Sequence, residues 1–253
     1  MTGITAPPAA GALDHVDCWI FDLDNTLYPP TVDLFVQIDE RMKAFIGREL
    51  GLSPDDAYRL QKTYYRAHGT TLRGLMLNHG TDPEAFLDYV HDIDHTVLGA
   101  NPALRSSLAG LPGRRFIYTN GTRRHADQVL RRLGIADLFD GAFDIRAGTY
   151  LPKPDPAPYR EMVRTLGVDP TRAAMFEDSF KNLAPAAAIG MVTVWVRHPE
   201  HTPGPGDETG HCRYVTDDLV AWLDALSIEP PASGARLTFG SHQMSGRPTS
   251  KLL

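Results

Sequence analysis

Two aspartates one residue apart, Asp22 and Asp24, sit in the segment Ile-Phe-Asp-Leu-Asp-Asn-Thr-Leu-Tyr at residues 20–28, directly after an apolar run over 16–21. A buried strand that delivers two carboxylates at its carboxyl end is costly, because each resists desolvation and the two repel. A divalent cation relieves both problems, and a hard, oxygen-preferring ion such as Mg²⁺ suits carboxylates better than a soft metal does. The same pair suits phosphoryl chemistry, one carboxylate acting as nucleophile and the other as proton donor. A polar turn after a strand is the plain alternative, since Asp and Asn favour turns.

Three further segments carry polar groups in comparable places. Ile117-Tyr118-Thr119-Asn120-Gly121 ends an apolar run in a hydroxyl, an amide and a glycine, just before a helical pattern. A helix N-terminus holds a phosphate well, and the Thr119 hydroxyl can donate to a phosphoryl oxygen; capping the helix is its other possible use. Leu-Pro-Lys-Pro-Asp-Pro at 151–156 sets Lys153 between prolines, whose fixed dihedrals stiffen the loop. A lysine held that way could neutralise a phosphate or the nucleophilic carboxylate, or stand in solvent as most lysines do. Met175-Phe176-Glu177-Asp178-Ser179 ends another apolar run in two acids. If that end faces the first, Asp178 completes a metal site and Glu177 acts through a water.

These groups need a scaffold that brings strand ends together. Short apolar runs at 16–21, 115–118, 173–176, 192–196 and 213–215 alternate with helical spacing over 123–133, 156–166, 182–189 and 217–226. That alternation predicts an α/β protein with a parallel sheet covered on both faces. Gly134, Gly167 and Gly190 stand where helix-closing glycines are expected. From about residue 32 to 99 the rhythm changes. Leu34, Ile38, Met42, Phe45 and Ile46 follow helical spacing, and Ser53-Pro54-Asp55-Asp56 and Asp82-Pro83-Glu84 read as helix starts. We expect three or four helices inserted between the first and second strands, over the edge where open parallel sheets bind ligands.

The chain has 253 residues, enough for one large core or two unequal domains. Its formal net charge of −6 argues against nucleic-acid binding, which relies on Lys and Arg. The two cysteines, Cys18 and Cys212, read as small buried hydrophobes rather than a disulfide or zinc framework. Neither a signal-peptide pattern nor a membrane-length apolar run is apparent, so a cytoplasmic protein without membrane partners is expected.

Paired aspartates, a threonine, a lysine and a Glu-Asp pair at four strand ends form a constellation that resembles the haloacid dehalogenase superfamily over roughly residues 15–200. The resemblance implies a Rossmann-like core over 15–31 and 100–226, with a mobile helical cap over 32–99. Residues 1–14 are then an N-terminal extension and 227–253 a flexible tail. It also implies phosphoryl transfer through an aspartyl-phosphate. Asp22 is the expected nucleophile and Asp24 the general acid and base. Thr119 and Lys153 serve the phosphoryl group. Mg²⁺ is held by the Asp22 side chain, the Asp24 backbone carbonyl and Asp178. Superfamily ATPases tend to carry threonine at the position of Asp24, and dehalogenases lack this metal arrangement, so a phosphatase or phosphomutase is implied.

Leu-Tyr-Pro at 27–29, Tyr64-Tyr65-Arg66-Ala67-His68-Gly69, Thr71-Leu72-Arg73-Gly74-Leu75, His125-Ala126 after Asn120, and the stretch 133–140 are similar to the pyrimidine 5′-nucleotidase branch. That similarity implies a nucleoside monophosphate substrate, with Asn120, Arg73, Tyr65 and His68 binding it. The cap aromatics also read as ordinary helix-packing groups. Glu177-Asp178 stands where close eukaryotic relatives have two aspartates. His125 is expected to be structural, and the other histidines show no metal-ligand spacing. A sugar-phosphate phosphatase or phosphomutase is the alternative. A non-catalytic binding module would show a lost core residue, and none is lost. The expected assembly is a monomer or homodimer.

Overall fold

The computed structural model describes residues 8–199 and 203–226. Strand β1 (Cys18–Phe21) is followed by four helices, α1 (Leu34–Leu50), α2 (Pro54–His68), α3 (Thr71–His79) and α4 (Pro83–Val90). The chain then continues through α5 (Pro102–Ala109), β2 (Arg114–Tyr118), α6 (Arg123–Leu133), β3 (Gly141–Phe143), α7 (Pro156–Leu166) and β4 (Ala173–Glu177). It ends in α8 (Phe180–Ala188), β5 (Val192–Val196), β6 (Tyr214–Thr216) and α9 (Leu219–Asp224). All neighbouring strands run parallel, in the order β3-β2-β1-β4-β5-β6. This is the α/β class and parallel sheet that the alternation of strands and helices predicts, and the Rossmann-like core that the resemblance implies.

The helices begin where capping residues stand. The Ser53 hydroxyl accepts from the Asp56 N–H (3.2 Å), Asp82 from that of Glu84 (3.1 Å) and Asp155 from that of Ala157 (2.8 Å). Such caps satisfy donors that the first helical turn leaves open. At α6 the cap is Thr122, which accepts from the His125 N–H (3.2 Å), so Thr119 is free of that duty. Two elements lie outside the expected pattern. Strand β3 is only Gly-Ala-Phe and exists by pairing with β2. Helix α5 buries Leu104, Ser107 and Leu108 alone, too little apolar spacing to read from sequence.

Alternation along β1 divides the core. Trp19 and Phe21 join a cluster with Leu108 of α5, Val129 of α6 and Trp222 of α9. Cys18 and Ile20 join the opposite cluster with Tyr159 of α7 and Leu183 of α8. Each large apolar side chain buried this way contributes about 1.5–3 kcal/mol. Leu13, in the segment read as an N-terminal extension, is buried in the first cluster. Both cysteines are buried and unpaired. The flexible tail expected over 227–253 lies outside the described residues. Among the described residues, no helix is long and apolar enough to cross a membrane.

Helices α1–α4 have an apolar cluster of their own, built on Phe45, Ala57, Leu75 and Phe86, with Ile145 joining from the loop after β3. Arg146 in that loop grips Glu84 of α4 through two nitrogens, and the Tyr150 hydroxyl donates to the same carboxylate. The helical insertion is therefore pinned to the carboxyl edge of the sheet by charge as well as by packing.

Register decides what meets at that edge. Phe21 lies level with Ile117 and with Phe176. Asp22, Tyr118 and Glu177 therefore emerge together at the middle of the sheet. The start of this register depends on Gly113, which has φ +78° and whose added Cβ would stand 2.1 Å from the Asp17 backbone oxygen. Gly113→Ala is expected to destabilise the protein by more than about 1 kcal/mol, through positive-φ strain and backbone overlap. Thermal unfolding of wild type and variant checks this, and an unchanged midpoint contradicts it.

Candidate active site

Lys153 is the hub of the carboxyl edge. Its ammonium donates to Asp22 Oδ1 (2.6 Å), to Glu177 Oε2 (2.6 Å) and to the Tyr118 carbonyl (2.9 Å). The residue is only 2% exposed, so this is a buried ion cluster and not a surface pair. Its loop is held in turn by Asn120. The Asn120 carbonyl oxygen accepts from the Lys153 N–H (2.9 Å), and its amide donates to the Lys153 carbonyl (3.4 Å). The Asn120 side chain, expected on substrate, is thus committed to the lysine loop, although the residue still lines the cavity described below.

Burial and the nearby Glu177 lift the Asp22 carboxyl to about 7, against the pull of Lys153. Burial likewise raises Glu177. Lys153 moves the opposite way to an ordinary buried amine: desolvation disfavours its charge, but Asp22 and Glu177 outweigh it and hold the proton more firmly. The raised carboxyls and the tightly held ammonium tell one story. There is more negative charge here than one lysine can balance.

Asp178 joins these acids. One carboxylate oxygen each from Asp22, Glu177 and Asp178 lie within 4.8 Å of one another. Three buried hard-oxygen donors against one ammonium form a set that fits Mg²⁺ in both ligand type and charge. Thr26 braces the pair from below. Its hydroxyl donates to Asp22 Oδ2 (3.0 Å) and accepts from the Asp178 N–H (3.1 Å). Glu177 Oε1 accepts from the Asn182 amide (3.1 Å), so Glu177 is anchored on both oxygens.

Asp24 stands apart from this cluster. Its Oδ1 accepts from the Tyr28 hydroxyl (2.5 Å) and meets His125 Nε2 at 2.8 Å. Burial pushes the Asp24 carboxyl up, but His125 and Tyr28 outweigh it and hold it at about 2. The Asp24 side chain is therefore not one of the clustered carboxylates. Thr119, 1% exposed, accepts the Gly121 N–H on its hydroxyl oxygen (2.9 Å), which leaves the hydroxyl hydrogen free to donate.

Above these groups lies a cavity of about 1230 Å³ between the sheet edge and the helical insertion. Asp22, Asp24, Thr119, Lys153 and Asp178 line its floor; Tyr65, Arg66, His68 and Arg73 line the helical side. Tyr65 is 56% exposed, unusual for an aromatic with only packing to do. No hydrogen bond or ion pair joins the Arg73 guanidinium to another described residue. His68 packs its ring against Tyr64, with centroids 5.7 Å apart. At Gly69 an added Cβ would stand 3.2 Å from the Lys153 carbonyl, so the helical insertion touches the lysine loop itself.

His125, expected to be structural, is fully buried beside Asp24, and His91 and His95 gather around it. The His91 ring stacks on that of His125 with centroids 4.8 Å apart, and His95 Nε2 meets His125 Nδ1 at 3.0 Å. His91 and His95 lie some thirty residues before His125, so sequence spacing carries no sign of the cluster. The one local hint is that His125 falls in the first turn of the helix that follows Thr119.

Comparison with known proteins adds a family. The sequence pattern of the haloacid dehalogenase-like hydrolases matches residues 16–190. The chain is 29% identical over 191 residues to Phosphate metabolism protein 8 of Saccharomyces cerevisiae, covering 68% of this chain and 59% of the yeast protein. It thus spans less than two thirds of that relative. It is 31% identical over 217 residues to a phosphoglycolate phosphatase of Neisseria gonorrhoeae, covering 78% of this chain and 85% of that one. In fold it is similar to a solved HAD phosphatase from Thermococcus onnurineus, with a TM-score of 0.56 at 20% identity over 85% of this chain and 99% of the other. The match runs from just before the first aspartate pair to beyond the Glu-Asp pair, and the chain belongs to the haloacid dehalogenase-like hydrolase family.

Proposed function

We propose that the protein is a Mg²⁺-dependent phosphomonoesterase that works through an aspartyl-phosphate on Asp22. The observation that carries this reading is the buried cluster of Asp22, Glu177 and Asp178, with one carboxylate oxygen of each within 4.8 Å of the others and Lys153 beside them. An enzyme acting on a haloacid would have to bring a carboxylate substrate into that negative field. A phosphate ester entering with a divalent cation meets a site whose charge it completes. The names of the yeast and Neisseria relatives agree with phosphate chemistry.

Asp22 attacks phosphorus, and the bond to the ester oxygen breaks. The monoanionic ester brings one proton, which Asp24 takes up and passes to the departing alcohol. Asp24 then takes a proton from the water that attacks phosphorus in the aspartyl-phosphate, which releases inorganic phosphate and restores Asp22. The free Thr119 hydroxyl hydrogen donates to a phosphoryl oxygen, and Lys153 offsets charge beside the nucleophile. Asp22, Asp178 and the Asp24 backbone carbonyl would hold Mg²⁺, with Glu177 behind a water. Bound there, the ion supplies positive charge to the phosphoryl oxygens. Residues 32–99 act as the cap that excludes bulk water.

Nucleoside monophosphates, pyrimidine ones first, are the substrates we infer. The support is the similarity of the cap motifs, together with an exposed Tyr65 able to stack on a base and an unpaired Arg73 able to bond it. A second reading, a small sugar or carboxylate phosphate ester, draws on the similarity to phosphoglycolate phosphatase. Phosphate release across a panel of both kinds of ester, with Mg²⁺ and with EDTA, separates them.

Three outcomes are expected. Asp22→Asn should lower phosphate release by at least about 10³-fold, the scale seen when a nucleophile is removed, with little change in the thermal midpoint. Mg²⁺ should raise the midpoint of the wild type relative to EDTA, and Asp178→Asn should abolish that rise. Arg73→Ala should reduce kcat/KM for the best nucleotide by about ten-fold, with a smaller effect on p-nitrophenyl phosphate. Equal losses on both compounds would remove Arg73 from recognition of the leaving group.

A further inference from the structure

The histidine cluster has a direction that hydrogen-bond chemistry fixes. His95 Nδ1 lies 3.2 Å from the Ile93 carbonyl. A carbonyl only accepts, so Nδ1 carries hydrogen and donates. In a neutral His95 the other nitrogen, Nε2, is then an acceptor, and it receives the hydrogen of His125 Nδ1 at 3.0 Å. That leaves His125 Nε2 as the ring nitrogen on Asp24 Oδ1, at 2.8 Å. Oδ1 accepts in this contact, as it does from the Tyr28 hydroxyl, with the hydrogen on His125 Nε2. His125 is 0% exposed and His91 stacks on its ring, so the imidazole has no room to turn.

Both contacts to Asp24 fall on the same oxygen. The Tyr28 hydroxyl and His125 Nε2 meet Oδ1, while no described residue bonds Oδ2. We propose that Tyr28 and His125 are positioning residues that clamp Oδ1 of Asp24 so that Oδ2 performs the proton transfers, and that His95 holds His125 in the direction this requires. His91 and His95 belong to the segment that returns from α4 to the sheet, so the inserted helices connect to the general acid through two imidazoles. A carboxylate free to rotate would spend part of its time with neither oxygen aimed at the leaving group, and orientation of that kind controls proton-transfer rates.

The proposal rests on the phosphomonoesterase reading, and one experiment separates the two. The quantity is kcat/KM, which ends at formation of the phosphoryl-enzyme and omits its hydrolysis. It is measured with p-nitrophenyl phosphate, whose leaving group needs little protonation. The partner substrate is the alkyl phosphomonoester that the wild type turns over fastest. His125→Ala should lose about ten-fold or more on the alkyl ester but only about three-fold or less on the aryl ester. His125→Gln, whose amide nitrogen can reach Asp24, should recover much of the loss. Tyr28→Phe removes a single oxygen and should show the same selectivity, which carries the test where His125→Ala does not fold. Equal losses on the two esters in Tyr28→Phe would overturn the clamp. A wild type that releases no phosphate from either ester would overturn the phosphomonoesterase reading and the clamp with it.

Discussion

One buried ammonium holds the carboxyl edge of the sheet together. Lys153 sits among Asp22 at the end of β1, Glu177 at the end of β4 and the carbonyl of Tyr118 at the end of β2. A lysine in that environment is unstable unless paired, and breaking such a pair typically costs about 3–5 kcal/mol because a lone buried charge remains. Three strand ends and one loop thus converge on a single atom. The loop cannot drift, because Asn120 bonds its backbone on both sides and Gly69 of the helical insertion packs on it. The arrangement orders the site, yet it leaves the carboxylates in excess. In the proposed function, this acidic cluster receives a cation and the phosphate that the cation accompanies.

The second consequence is a division of labour between two aspartates that stand one residue apart. Asp22 shares the crowded negative centre and is pushed up by burial and Glu177. Asp24 is held by a phenol and an imidazole and is pulled down. In the proposed mechanism, Mg²⁺ bound beside Asp22 would draw its carboxyl back toward the ionised form that attacks phosphorus. Here the separation follows from where the strand ends: Asp22 directly follows β1, while Asp24 already lies in the turn beyond it, so one aspartate meets Lys153 and the other meets His125 of α6.

Much of this was legible in the residues themselves. Apolar runs marked five of the six strands, and helical spacing marked α6, α7, α8 and α9, because each buries enough apolar surface to show. The strand ends bearing Asp22, Thr119 and Glu177 were visible because charged or polar groups ended apolar runs abruptly. What stayed hidden was non-local or short. Strand β3 has three residues and owes its existence to β2. The bond between Asp24 and His125 spans 101 positions, and the one between His125 and His95 spans 30. No periodicity encodes such pairings; they arise only when the return from the helical insertion is laid beside α6. The bond between Asn120 and the lysine loop is hidden in the same way, since its partner is a backbone segment 33 positions later.

The central claim is that Asp22 carries the phosphoryl group during turnover. It is tested most directly by mixing enzyme, Mg²⁺ and a hydrolysed phosphate ester, quenching with acid during the first turnovers, and determining by mass spectrometry which peptide is phosphorylated. The account predicts a transient phosphoryl group on the peptide containing Asp22, absent in Asp22→Asn and absent with EDTA. Steady release of phosphate with the Asp22 peptide never modified would contradict it.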